Sequence, residues 1–169
     1  MKTVISIFLV TILFVFQNCS KSDDNTAPLT PINCDGLITD TLGTNDNAKI
    51  FMPNAFTPNA DGRNDVIRPV TYNVASIVFT IYDANNNVVY TTTQLGQGWS
   101  PVTTANTAIT YYYKIQTITS ANHKIGKCGE LYRLTCRPAT LPLSSLFFED
   151  MLTMNGFTQT TGETLSTCP

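Results

Sequence analysis

Between residues 49 and 135 the chain is broken into short runs of β-branched and aromatic residues, each closed by residues that turn the backbone. The runs cover residues 49–52, 76–82, 88–92, 109–117 and 129–135. Such side chains fit a pleated, half-buried surface, so each run reads as a strand. Within the second, Ile77, Phe79 and Ile81 alternate with Val78, Thr80 and Tyr82. A period of two puts the first set on one face, turned inward, and leaves the other face half polar. Asp83, Ala84, Asn85, Asn86 and Asn87 separate two runs, and asparagines tolerate the left-handed conformations that tight hairpins need. The nearest approach to a helical period is residues 143–154, with Leu143, Leu146, Phe147, Met151 and Met154. That segment reads equally well as a helix or a strand pair. The pattern predicts an all-β chain folded as a small antiparallel immunoglobulin-like β-sandwich over residues 49–137, followed by a C-terminal extension over 138–169 that packs on it.

The first 16 residues read as a targeting segment. Lys2 supplies a positive start and residues 4–16 an uninterrupted run poor in polar groups. A spanning helix needs about 20 apolar residues, and the polar stretch from Gln17 ends the run short of that. Residues 1–18 are therefore expected to act as a signal peptide. Cys19 follows directly, and the segment resembles a bacterial lipoprotein signal, in which that cysteine is acylated. Its neighbours Ser20, Lys21, Ser22, Asp23 and Asp24 look like the Lys-plus-acidic export tag of surface lipoproteins in Bacteroidetes-type bacteria. Acyl chains contribute about 0.8 kcal/mol per buried methylene, enough to fix a protein to a membrane without spanning it. Residues 19–48, polar and carrying Pro28, Pro31 and Gly36, read as the acylated cysteine and a flexible tether.

Cys19 aside, four cysteines remain: Cys34, Cys128, Cys136 and Cys168. An even remainder in an exported chain implies disulfides, and four cysteines allow three connectivities. If 127–136 is one strand, Cys128 and Cys136 stand about 26 Å apart at about 3.3 Å per residue. A disulfide needs Cα atoms within about 7 Å. Cys34 and Cys168 are then each expected to pair with one of these two. A zinc site is disfavoured, since the chain has no C-x-x-C spacing and one histidine, His123.

The stretch Met52-Pro53-Asn54-Ala55-Phe56-Thr57-Pro58-Asn59-Ala60-Asp61-Gly62-Arg63-Asn64-Asp65-Val66 resembles the opening signature of the gliding-motility-associated C-terminal domain, the type B sorting domain of the type IX secretion system. Only Ala60 departs from that pattern, where the family prefers glycine. Further matches follow in order: Phe79-Thr80-Ile81-Tyr82-Asp83 is similar to the family's next strand, and Gly98-Trp99 to the Gly-Trp before the following one. Tyr111-Tyr112-Tyr113-Lys114-Ile115 is similar to the G-x-Y-x-Y-x-I strand, and residues 129–133 to the closing strand. The family's Arg-Trp pair after the second strand is missing here. The resemblance implies a β-sandwich module that docks on, or is sorted by, a translocon.

Asn59, Asp61, Asn64 and Asp65 alternate around Gly62 as in calcium loops, because hard cations want several closely spaced oxygen ligands. The spacing is not an EF-hand, and a turn held by Asx side chains bonding their own backbone explains the same residues. Calcium is thus the one cofactor the sequence admits. Trp99, Tyr111 and Tyr113 offer either a sugar-stacking surface or core packing, with Tyr111 and Tyr113 on the same strand face.

No G-x-S-x-G, H-E-x-x-H or glycine-rich phosphate loop occurs, and His123 sits in a polar turn that reads as solvated. The carboxylate pairs Asp61/Asp65 and Glu149/Asp150 could in principle serve a glycosidase, which needs two carboxyls at a defined separation, a distance that sequence does not supply. With 10 Lys+Arg against 12 Asp+Glu the net charge is −2, too few cations for a nucleic-acid face. Only 13% of residues are charged, against about 25% in ordinary domains, so neutral polar residues solvate the surface. The expectation is a non-enzymatic lipoprotein on the outer membrane, facing the exterior. It would engage the membrane through its acyl anchor and a protein or glycan partner through its β-sandwich, for adhesion, surface assembly or docking. The alternative is a component or cargo of the type IX secretion and gliding machinery.

Overall fold

The computed structural model describes residues 33–101 and 107–169. The signal segment, Cys19 and the first part of the tether lie outside the described residues. The order of elements is β1 (Lys49–Phe51), β2 (Ala55–Phe56), β3 (Val70–Tyr72), β4 (Val74–Tyr82), β5 (Val88–Thr92), β6 (Ala108–Thr119), β7 (Lys124–Leu134), two 3-10 turns (Leu143–Ser145, Glu149–Met151), β8 (Leu152–Thr153) and β9 (Gly156–Phe157). Among the described residues no helix is long and apolar enough to cross a membrane.

A five-stranded sheet in the order β2-β7-β6-β4-β5 carries the fold. Four of its strands are antiparallel neighbours in the order β7-β6-β4-β5, with Phe79 opposite Ile115 and Tyr111 opposite Leu131; β5 lies outside β4, so the chain crosses from β5 to β6 instead of running as a meander. β2 departs from the antiparallel pattern, lying parallel to the end of β7, so the sheet is mixed. The β4–β5 hairpin closes where expected: Asp83 N–H donates to Asn87 O at 2.9 Å, and the Asp83 carboxylate accepts the amides of Asn85 and Asn87. Asn86 takes φ +63° there.

The alternation in β4 places Ile77, Phe79 and Ile81 in the core, while Val78 is 48% exposed. Phe56 from β2, Tyr113 and Ile115 from β6 and Leu131 from β7 join them, and Ile50, Met52 and Ile67, from outside that sheet, complete the cluster as a facing layer. That facing layer is slight. Its only regular pairing is the β1–β3 ribbon. A second cluster of Ala55, Leu134, Leu146 and Phe148 forms where the extension folds onto the end of β7. Residues 143–154 are thus neither a helix nor a strand pair. Two 3-10 turns drop Leu146 and Phe148 into this second core before the short β8–β9 hairpin begins.

The tether does not stay free up to residue 48. Cys34 bonds Cys128, and Gln116 exchanges two hydrogen bonds with the backbone of Ile38. Asp40 N–H then donates to Lys124 O, Lys124 N–H to the Asp40 carboxylate, and Gly126 N–H to the Thr39 hydroxyl. These bonds occupy the start of the β7 edge, at Lys124 and Gly126, satisfying backbone groups that would otherwise invite another strand. The second disulfide joins Cys136 to Cys168.

His123 is not a solvated loop residue. Its Nδ1 lies 2.8 Å from Oδ2 of Asp46, whose side chain is 3% exposed and also accepts the Thr119 hydroxyl at 2.7 Å. The Thr119 hydroxyl, then His123, hold the Asp46 carboxyl below its ordinary 3.8. Asp83 is lowered likewise, chiefly by the Asn87 side chain, and Asp61 by the Arg63 amide. Carboxyls with depressed folded-state pKa values stabilise the fold above their unfolded value, and that contribution disappears as pH falls through the folded value. The guanidinium midpoint should therefore drop as pH is lowered below about 4. Asp46→Asn should shrink the difference between midpoints at pH 7 and pH 3. An Asp46→Asn chain with the full wild-type acid loss would contradict this.

Candidate functional site

The signature stretch folds as one structural unit. Phe56 is fully buried, its ring centroid 5.9 Å from that of Trp99. Ile67 and Trp99 bridge by two hydrogen bonds of 2.9 Å. Gly98 permits this approach, because a Cβ there would stand 2.4 Å from Val66 Cγ1 and 2.7 Å from Ile67 O. The Gly-Trp motif thus packs on the end of the signature.

Between Thr57 and Val66 the chain makes a closed loop, with Thr57 N–H donating to Asn64 O at 2.9 Å. The four residues considered as calcium ligands lie together here, but the side-chain oxygens of Asn59, Asp61 and Asp65 point at the loop's own amides. Asp65 accepts Ala60 N–H at 2.7 Å and Gly62 N–H at 2.8 Å, one on each oxygen. Asp61 accepts Arg63 N–H at 2.8 Å and the Asn59 side-chain amide at 3.1 Å, and Asn59 accepts Asp61 N–H. These are Asx turns. Asn64 faces away: its side chain donates to Glu163 at 2.9 Å and accepts Asp150 N–H at 3.1 Å. Among the described residues no group of three or more His, Cys, Asp or Glu side chains is placed to hold a metal.

Three left-handed residues shape the loop: Ala60 (φ +64°), Gly62 (φ +86°) and Asn64 (φ +47°). A Cβ is unfavourable in that region, which explains why glycine suits the position that Ala60 occupies. Ala60→Gly should stabilise the chain by about 0.5–1 kcal/mol, relief of strain outweighing the added freedom of the unfolded chain. Thermal unfolding checks this, and a lower Tm would refute it.

The aromatic residues considered for sugar stacking are largely spent on the core. Tyr113 is 9% exposed, and Trp99 and Tyr111 pack edge to face at 4.9 Å against the main cluster. Tyr90 stacks on the remaining side of Trp99 at 6.4 Å. Trp99 and Tyr111 remain half-buried. Burial pushes the Tyr113 hydroxyl up from its ordinary pKa.

Asn54, quoted in the signature but given no role by sequence, is a hub. Its backbone O accepts Tyr132 N–H at 2.7 Å, while its side chain donates to Ser145 O and accepts Phe147 N–H. These partners lie 78 to 93 residues away, so no local pattern could reveal them. A groove of about 520 Å³ runs between the loop and the extension, lined by residues 62–66 with Arg68, Glu149 and Asp150. Arg68 spans it with a two-pronged ion pair to Glu149, Nη2 to Oε1 at 2.6 Å and Nε to Oε2 at 3.1 Å. Glu149 is thereby neutralised, and Asp150 Oδ2 accepts Gly162 N–H at 2.8 Å. The carboxylate pairs flagged in the sequence are both bonded to structural partners.

A family model for the CHU_C type IX secretion signal domain matches residues 50–132. No curated protein and no solved structure matches the chain. The match begins in β1, spans the signature loop, β4, β5, Trp99 and β6, and ends in β7. Residues 50–132 therefore belong to the CHU_C type IX secretion signal domain family, which associates this chain with the type IX secretion system.

Proposed function

We propose that the chain is a cargo of the type IX secretion system that docks on its translocon through the domain at residues 50–132 and reaches the cell surface as a lipid-anchored, non-enzymatic module. The family match is the observation that carries this reading. Anchoring is supported by Lys2, the apolar run and Cys19 at its end. The non-enzymatic reading is supported by the bonding of Asp61, Asp65 and Glu149 to the loop amides and to Arg68.

Protease shaving of intact cells tests it with the full chain. The protein should be cleaved on cells with a working translocon and protected on cells lacking the pore. Equal cleavage in both strains would overturn the cargo reading. With Cys19→Ala the exported protein should appear in the medium rather than on the cell, and retention on the surface would count against the acyl anchor.

A further inference from the structure

The family match ends at residue 132, yet the side chains of its signature loop are bonded to residues beyond that point. Glu163 Oε1 accepts the Thr57 hydroxyl at 2.8 Å and the Asn64 amide at 2.9 Å. Arg63 Nη1 donates to Gly162 O at 2.7 Å. The crossing is close: a Cβ at 162 would stand 2.0 Å from Arg63 Nη1, so any larger residue there would have to push the guanidinium aside.

The extension has two unlike parts. Leu146 and Phe148 in its first half are fully buried and belong to the core. Residues 158–169 contribute no buried side chain. They lie over the loop as a strap that is polar apart from Leu165, which is half-buried against the second cluster, and it is held at one end by Asp150 through Gly162 N–H and the Thr161 hydroxyl. The other end is held by Arg137 N–H donating to Ser166 O, Cys168 N–H donating to Arg137 O, and the Cys136–Cys168 disulfide. Surface hydrogen bonds of this kind contribute little net free energy, whereas ordering a chain segment costs conformational entropy for every residue. A covalent pin at the strap's far end removes most of that cost.

We propose that the Cys136–Cys168 disulfide is a latch. With both cysteines as thiols the strap detaches and leaves Thr57, Arg63 and Asn64 open to a partner. When the disulfide forms, the strap covers Thr57 and Asn64 and ties down the guanidinium of Arg63, which itself stays exposed. Closure uses a disulfide-bearing oxidant: the less buried Cys168 thiolate attacks it and expels one thiolate, and Cys136 then displaces the second from the mixed disulfide. Two protein thiols lose two electrons and two protons, and the oxidant leaves as a dithiol. Its timing rests on the export reading, since thiols persist in the cytosol and disulfides form outside it. The latch itself does not depend on that reading.

The test uses the full chain with Cys34–Cys128 intact and compares wild type with Cys168→Ser. Two readouts are taken: hydrogen exchange of peptides covering 158–168, and the rate at which trypsin cleaves after Arg63, identified by mass spectrometry. Both rates should rise at least tenfold in Cys168→Ser, while peptides of β4 and β6 keep wild-type protection. Unchanged exchange in the strap and unchanged cleavage at Arg63 would overturn the latch. Should Cys168→Ser fail to fold, Glu163→Ala in the oxidised chain decides: faster cleavage at Arg63 supports the strap as the mask, and an unchanged rate refutes it. Cell-surface exposure enters neither readout, so failure of the latch and failure of the cargo reading remain separate results.

Discussion

Replacing Cys34 and Cys128 together by alanine should lower the free energy of unfolding by about 4–5 kcal/mol. The two cysteines are separated by 94 residues, and cross-linking so long a loop removes much of the freedom of the unfolded chain. The native state also loses by the change. Cys34 pins the segment whose Ile38, Thr39 and Asp40 bond Gln116, Gly126 and Lys124. Without that pin, the β7 edge opens to other strands. Guanidinium unfolding under non-reducing conditions measures the loss, and a change below about 1 kcal/mol would show that the bond constrains little. The Cys136–Cys168 bond closes a loop of 32 residues, so its loss should cost about 1 kcal/mol less on loop length alone. That asymmetry suits a structural clamp at one end and a latch at the other.

Phe56→Ala should cost about 3–5 kcal/mol, the range for emptying a fully buried aromatic site. Phe56 lies where β2 meets β7, and its ring packs on Trp99 under the signature loop. Collapse of the cavity is resisted from both sides, by the sheet and by the Ile67–Trp99 bridge. Phe56→Leu keeps most of the buried carbon and should cost less than half as much. Equal costs for the two substitutions would mean that the aromatic contact with Trp99, rather than filled volume, sets the stability here. Either outcome separates the signature residues that build the fold from Thr57, Arg63 and Asn64, which face the strap.

The β4 alternation was legible because the strand period is a local property: Ile77, Phe79 and Ile81 had to share a face whatever lay above them. The distance argument against a Cys128–Cys136 bond was legible for the same reason, since it needs only the rise of one strand. β7 was legible only in its second half. Lys124, Gly126 and Lys127 look like turn residues, and they lie in a strand because β6 on one side and residues 39–40 on the other take up their backbone groups. Trp99 and Tyr113 were ambiguous because an aromatic side chain serves a surface or a core equally well until its neighbours are known.

By itself, the sequence determined β1, β4, β5, β6, the second half of β7, the hairpin at Asp83 and the turn residues around Gly62, all set by chemistry within a few residues of each position, and its signature pointed to the family of residues 50–132. Only the tertiary structure decided that β2 runs parallel to β7, that His123 pairs with Asp46 across 77 residues, and that Glu163 caps Thr57 across 106. Those contacts join segments distant along the chain. Closing loops of that length carries an entropic cost that only the assembled sheet and core can offset, so no local pattern announces them.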